Sequence, residues 1–427
     1  MSNLKQVQGM TTRYAAAQLV HQILVENANL EEAFDNCCSF GILKSEPEIE
    51  RAFCRSMVTN TIRRNGLFDF ILKKYMKKRP SGIAMGILAT ALEQMLFMRV
   101  PNNIAISIAI EIAKADKSTK HLPQFISAVL RRVEADSGRI NSLINKPGVN
   151  LPQWLYSRWQ RNYGSDTARM ISEANLVDPD LDITVKSRPE TWAEILNAEV
   201  LFQNSLRIKN FRGRPENLPG YDSGDWWIQD LASSLPATFL GNVENKFILD
   251  LCAAPGGKTA QLANAGANIT ALDISEHRMK RLLANFHRLG LSVNPVISDA
   301  LTYQSSEKFD GILLDAPCSA TGTVRRHPDI AWHRTEKQIG ELAALQFDLI
   351  VNASKLLKSG GTLVFSTCSI EPEEGESHLL KSLPDLEFSP ILKDEVPALG
   401  ILSAKGFVRS LPQLGLDGFF IARFKKL

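Results

Sequence analysis

Phe247-Ile-Leu-Asp-Leu-Cys-Ala-Ala-Pro-Gly-Gly-Lys-Thr259 reads as a short apolar strand running into a glycine-bearing loop and then a helix start. Four further apolar, β-branched runs follow: Ile269-Thr-Ala-Leu-Asp-Ile274, Val293-Asn-Pro-Val-Ile-Ser-Asp299, Phe309-Asp-Gly-Ile-Leu-Leu-Asp315 and Gly361-Thr-Leu-Val-Phe-Ser366. A helical stretch, Glu276–Leu289, closed by Gly290, separates two of them. Strands alternating with helices predict a mostly parallel, doubly wound α/β sheet with helices on both faces. Such sheets bind ligands outside the carboxyl ends of their strands, where the strand order reverses.

Four of these strands end in or beside an Asp: Asp250, Asp273, Asp299 and Asp315. One such Asp is usually a turn former or a helix cap. Four at successive strand ends are expected to converge on one edge. The loop Cys252-Ala253-Ala254-Pro255-Gly256-Gly257-Lys258 is not a phosphate loop, because Cys252 stands where GxxxxGK[ST] requires Gly. It is not GxGxxG either, which removes a nicotinamide dehydrogenase. Asp273 lies roughly where a carboxylate reads ribose hydroxyls in nucleotide-binding sheets, and Asp299 is placed for the base. Ribose and base without a pyrophosphate loop point to an adenosyl cofactor.

Two cysteines sit in the next two strand-end loops, Asp315-Ala-Pro-Cys318-Ser-Ala-Thr-Gly322 and Ser366-Thr-Cys368-Ser369. A lone cysteine is most often a small buried hydrophobe, which suffices for Cys37, Cys38 and Cys54. A pair beside a cofactor edge suggests chemistry. Zinc is disfavoured without four convergent ligands, and no metal is expected. Carbon 5 of cytosine is a poor nucleophile, but addition of a thiolate at carbon 6 makes it enamine-like and able to take a methyl group from a sulfonium. One thiol needs thiolate character and the other can assist release. Asp315 is placed to hydrogen-bond the cytosine edge. The residues alone leave open which sulfur attacks.

The chain has 427 residues, enough for two or three domains. No stretch is apolar enough to span a bilayer, and the N-terminal residues lack a signal-peptide core. A cytoplasmic protein with reduced thiols is expected. Residues 1–140 carry 19 Lys/Arg against 13 Asp/Glu, an excess of six, and the rest carries 30 against 33. The excess is densest at Lys73-Lys74-Tyr75-Met76-Lys77-Lys78-Arg79, a run suited to phosphate or to a solvated helix end. Helical periodicity runs through this region, with Pro80, Pro101 and Pro123 near helix starts. Asn145–Pro152 is a turn-rich linker, and residues 151–230 read as mixed.

The blocks DLCAAPGGKT, ALDIS, DAPCSATG, RRHPDI, GGTLVFSTCSIEPEE and DGFFIARFKK, in this order over residues 247–427, resemble the RNA 5-methylcytosine methyltransferases of the NOL1/NOP2/Sun family. The resemblance implies a Rossmann-like class I catalytic domain with a seven-stranded sheet. It implies that residues Cys252 to Lys258, Asp273, Asp299 and Asp315 bind S-adenosylmethionine. It makes Cys368 the nucleophile and Cys318 the residue that helps release product. The N-terminal part resembles a NusB-like helical RNA-binding domain. That order of domains is similar to the Sun/Fmu branch, bacterial methyltransferases of small-subunit ribosomal RNA. The expected organisation is an all-α NusB-like domain at 1–143, a small α+β RNA-binding connector at 150–232 and a catalytic domain at 233–427. The expected activity is carbon-5 methylation of a cytosine in 16S ribosomal RNA by a monomer, with transfer RNA as an alternative substrate. A non-catalytic assembly factor is a further alternative, which loss of either cysteine would have favoured.

Overall fold

The computed structural model describes residues 9–383 and 385–427. Contacts divide the chain into two compact units. The first comprises residues up to Val177 together with Val324–Arg334, and the second comprises Asp178–Thr323 and Thr335–Leu427.

The first unit is helical. Its main elements are α1 (Met10–Val25), α2 (Leu30–Ser39), α3 (Glu48–Arg63), α4 (Asn65–Tyr75), α5 (Ala84–Leu96), α6 (Asn102–Ala115), α7 (Pro123–Ala135), α8 (Ser137–Ile144), α9 (Gln153–Tyr163) and α10 (Ser165–Ala174). Helix α5 is apolar on nearly every side, which suits the centre of a bundle. It crosses α1 closely because Gly86 has no side chain: a Cβ there would lie 2.2 Å from the Ala17 carbonyl oxygen. Pro101 and Pro123 stand at the starts of α6 and α7, where a missing N–H costs nothing. The basic run is divided by its own structure. Lys73 and Arg79 both face Asp69, at 2.7 and 3.6 Å, while Lys74 and Lys146 approach the ring of the exposed Phe70.

The RRHPDI block belongs to this helical unit, not to the sheet that flanks it in sequence. Its short helix α15 (Ile330–His333) is anchored by polar contacts. Asp329 accepts the Leu30 N–H at 3.3 Å, the Arg325 carbonyl accepts from Arg63 at 2.6 Å, and the Trp332 indole donates to the Ile62 carbonyl at 3.1 Å. The segment expected as a connector is shared as well. Helices α9 and α10 fall in the first unit and the strands after Val177 in the second.

The second unit opens with a four-stranded antiparallel sheet of β1 (Leu181–Val185), β2 (Glu199–Phe202), β3 (Ser205–Ile208) and β4 (Trp226–Ile228), in the order β2-β3-β1-β4. Helix α11 (Pro189–Leu196) lies between β1 and β2 in sequence, and α12 (Leu231–Thr238) follows β4. The large sheet uses β5 (Phe247–Leu251), β6 (Asn268–Asp273), β7 (Asn294–Ile297), β8 (Phe309–Asp315), β9 (Leu357–Thr367), β10 (Leu386–Phe388), β11 (Val408–Arg409) and β12 (Phe420–Lys426). Seven strands run in the order β10-β12-β9-β8-β5-β6-β7, and β11 adds to β12 as an eighth. Strands β5 to β9 pair in parallel, while β12 is antiparallel to β9 and β10. The sheet is thus the expected mostly parallel one with one strand more than expected.

Alternate strand residues point to opposite faces. Leu249, Ile312, Leu363 and Phe365 pack with Leu349, Ile350 and Ala353 of α16 (Glu336–Leu356). Ile248, Leu313, Val364 and Ile421 pack with Leu231 and Leu235 of α12. Helices α13 (Gly257–Asn264) and α14 (Glu276–Leu289) complete the wrapping. Ser275 caps α14 by accepting from the Arg278 N–H, and Gly290 ends it at φ 60°. The chain passes outward through β6 and β7 on one side of β5, and through β8 and β9 on the other. The order reverses between β5 and β8, which is where a ligand site is expected.

Candidate active site

The loop after β5 turns through two left-handed residues, Cys252 at φ 62° and Gly256 at φ 103°, with a cis Ala254–Pro255 bond between them. It delivers α13 with no side chain capping its first turn, so backbone N–H groups remain available to an anion. Asp250 does not present itself at the strand end. It is 1% exposed and accepts the Thr259 hydroxyl at 2.6 Å, tying the strand to α13. Burial pushes its carboxyl up to about 7. Cys252 is raised to about 12, first by burial and then by the surrounding aspartates, so it is an inert thiol.

Asp273 closes β6, fully buried. One oxygen accepts the Ala254 N–H at 3.2 Å. The other accepts the Ser275 N–H at 2.9 Å and pairs with Arg278 at 2.9 Å. Asp299 lies two residues beyond β7, exposed, and accepts the Leu301 N–H at 2.9 Å. Ile274 and Leu301, next to these two carboxylates, are 65% and 37% exposed. Both are large apolar side chains left in water at the carboxyl edge, and no local sequence pattern singles them out.

At the switch point, Lys258 of α13 and Asp315 of β8 form an ion pair at 2.8 Å. The Lys258 ammonium also donates to Ser233 at 3.0 Å and lies 5.2 Å from the Phe419 ring. The second Asp315 oxygen accepts the Ser366 hydroxyl at 2.8 Å, across the register pair Asp315–Ser366 of β8 and β9. Asp315 remains partly open to solvent.

Beyond this register pair the two cysteine loops run side by side. Gly322 N–H donates to the Cys368 carbonyl at 3.0 Å, and Ile370 N–H to the Thr321 hydroxyl at 3.2 Å. Cys318 and Cys368 meet with their sulfurs 3.4 Å apart. The contact with Cys368, together with burial, pushes the Cys318 thiol well above its ordinary range. Beneath the sulfurs lies a buried polar cluster of Ser319, Ser369, Glu374 and Gln346, none of which the sequence reading singled out.

With this geometry in view, two family profiles match the chain. One, described as 16S rRNA methyltransferase RsmB/F, covers residues 237–425, and one of the NusB family covers residues 10–135. A ribosomal RNA small subunit methyltransferase B from Citrobacter koseri is 30% identical over 97% of this chain and 98% of its own length. The chain belongs to the ribosomal RNA small subunit methyltransferase B family. A second member, from Escherichia coli O157:H7, is also 30% identical over 97% of the chain and 98% of its own length. Among solved structures, a methyltransferase homolog from Pyrococcus horikoshii is 31% identical, covering 65% of this chain and 95% of that one with a TM-score of 0.56. The structure of PH0851 shares the fold across 99% of both chains with a TM-score of 0.79 at 22% identity. Both parts of the family architecture, NusB-type helices ahead of a methyltransferase sheet, are thus present in one chain.

Proposed function

We propose that this chain methylates carbon 5 of a specific cytosine in 16S ribosomal RNA, with S-adenosylmethionine as donor, through a covalent bond between Cys368 and carbon 6 of the base. The observation that carries the reading is the 3.4 Å approach of two thiols from separate strand-end loops, beside the Lys258–Asp315 pair.

The donor fits the residues present. The uncapped N-terminus of α13 suits the methionyl carboxylate. Asp299 is exposed for the edge of the adenine and Ile274 with Leu301 for its faces, while the ribose falls to Asp273 by the family resemblance, its oxygens here holding Ala254, Ser275 and Arg278. When bound, the donor supplies an electrophilic methyl group. Cys368 then forms the sulfur–carbon 6 bond, moving the carbon 5–carbon 6 electron pair onto carbon 5, which takes the methyl group. A water molecule takes the carbon-5 proton, the pair of the carbon 5–hydrogen bond re-forms the carbon 5–carbon 6 double bond, and the Cys368 sulfur leaves as a thiolate. Cys318, held as a thiol by its neighbour and by burial, assists that release. Asp315, fixed by Lys258 and Ser366, accepts a hydrogen bond from the cytosine edge.

The helical domain supplies RNA binding, and the protein works as a monomer in the cytoplasm. No described helix is long and apolar enough to cross a membrane. The transfer RNA and non-catalytic alternatives are not favoured, because the relatives are named for ribosomal RNA and the two cysteines sit together. Bisulfite sequencing of total RNA from a deletion strain tests the proposal. One lost 5-methylcytosine in 16S RNA supports it, and an unchanged 16S profile overturns it.

A further inference from the structure

Nothing covalent fixes the distance between Cys318 and Cys368, which lie in separate loops beyond β8 and β9. Each cysteine is followed by a serine, and both serines bond to the same carboxylate. One Glu374 oxygen accepts the Ser319 N–H at 2.8 Å and the Gln346 amide of α16 at 3.0 Å. The other accepts the Ser369 hydroxyl at 2.6 Å and the Ser319 hydroxyl. Gln346 also donates to the Pro317 carbonyl at 3.0 Å, gripping the first loop a second time.

Glu374 is 0% exposed, and its partners are neutral N–H and O–H donors. Burying a carboxylate without a cation is costly, and a mere packing role would be filled better by an apolar side chain. Burial accordingly pushes its carboxyl up, and the four donors oppose the rise. What an ionised carboxylate alone provides is acceptor capacity on every side, with no donor to satisfy. Its hydrogen bonds are short and stiff. A group so placed holds two loops and a helix to one point. The reaction needs such placement, because misplacement of a reacting group by about 1 Å can cost a hundredfold in rate.

We propose that Glu374 is a positioning residue that sets the distance between the two thiols by clamping Ser319 and Ser369. This rests on the reading that Cys318 and Cys368 carry the chemistry, but the clamp itself can be measured without methyl transfer.

The reporter is disulfide formation between the two thiols in the purified full chain. Diamide accepts two electrons and two protons from the pair and becomes the hydrazine as the sulfur–sulfur bond forms. Peptide mapping identifies the 318–368 link, and alkylation rates normalise each variant for thiolate content. Glu374→Ala is expected to slow this cross-linking roughly tenfold and to lower kcat on ribosomal RNA about a hundredfold, with KM and donor affinity within about threefold of wild type. Glu374→Gln, which keeps one acceptor oxygen, is expected to recover part of both. Cross-linking of Glu374→Ala at the wild-type rate overturns the proposal. If Glu374→Ala does not fold, Ser369→Ala and Glu374→Gln are compared singly and together. Non-additive slowing supports a shared clamp, and simple additivity overturns it. Methylation retained by Cys368→Ala would overturn the cysteine reading separately, whatever the cross-linking shows.

Discussion

The sulfurs of Cys318 and Cys368, 50 residues apart in sequence, lie 3.4 Å from each other at the ends of the neighbouring strands β8 and β9. The proposed roles, with Cys368 attacking and Cys318 assisting release, predict opposite phenotypes. Cys368→Ala is expected to reduce methyl transfer by at least about a thousandfold with donor binding intact. Cys318→Ala is expected to trap a covalent protein–RNA species, seen as a slowly migrating band on a denaturing gel. Retained activity in the first variant, or no band from the second, rejects the assignment of roles.

The Lys258–Asp315 pair joins α13 to β8 at the switch point. Asp315→Asn keeps the shape but removes the charge that Lys258 and Ser366 hold in place. Turnover is expected to fall about a hundredfold, with a rise in KM for RNA of less than about fivefold. Steady-state kinetics with RNA varied at saturating donor separates the two parameters. A large change confined to KM would make Asp315 a binding residue instead.

Asp250 makes a prediction about pH. Its carboxyl is raised by burial from 3.8 to about 7, so the folded state binds a proton that the unfolded state has released. Its contribution to stability is full below about pH 4 and is lost as pH rises through about 7. His378 acts oppositely. Burial lowers it to about 4, so its contribution is lost as pH falls from 6.5 toward 4. The test is therefore a difference between wild type and Asp250→Asn. The variant is expected to be more stable by on the order of 2 kcal/mol at pH 8, with the gap closing toward pH 5. Urea melts across that range measure it, and a pH-independent gap refutes the linkage.

Gly322 passes so close to Gly418 that a Cβ on it would lie 1.9 Å from the Gly418 carbonyl oxygen. The obstacle is backbone, and Gly322 itself donates to the Cys368 carbonyl. Gly322→Ala is expected to cost about 2 kcal/mol or more of stability and to lower activity more than tenfold. Thermal melts and methyl-transfer assays read both effects. A variant with wild-type melting and turnover would show that the loop moves freely.

The basic run separates into engaged and available cations. Lys73 faces Asp69, while Lys77 and Lys78 are exposed with no ion pair among the described residues. Lys77→Ala with Lys78→Ala is expected to weaken ribosomal RNA binding severalfold and to flatten the salt dependence by roughly one and a half units of slope, whereas Lys73→Ala changes little. Binding titrations across a salt series decide it. Equal effects from both sets would mean that the surface is not used.

Much was legible in the sequence because it was local. The periods of two and 3.6 residues, the Gly290 cap and the glycine-bearing loop after β5 each depend on near neighbours, and from them came the sheet, its order of elements and the strand ends that carry Asp273, Asp299, Asp315, Cys318 and Cys368. What tertiary structure alone decided is which of those groups face the site and which are consumed elsewhere. Asp250 has the same strand-end signature as Asp299 and Asp315, yet it is buried against Thr259. The RRHPDI block follows the Cys318 loop in sequence, yet it is bonded into the helical unit. Glu374 lies in Glu371-Pro-Glu-Glu374, where no local pattern marks it out from the other two carboxylates. It becomes a buried acceptor only because two serines, each next to a cysteine and 50 residues apart, close over it. The physical reason is common to all three. A carboxylate's environment is set by which donors the folded chain brings around it, and those donors come from residues whose separation in sequence carries no periodic signal.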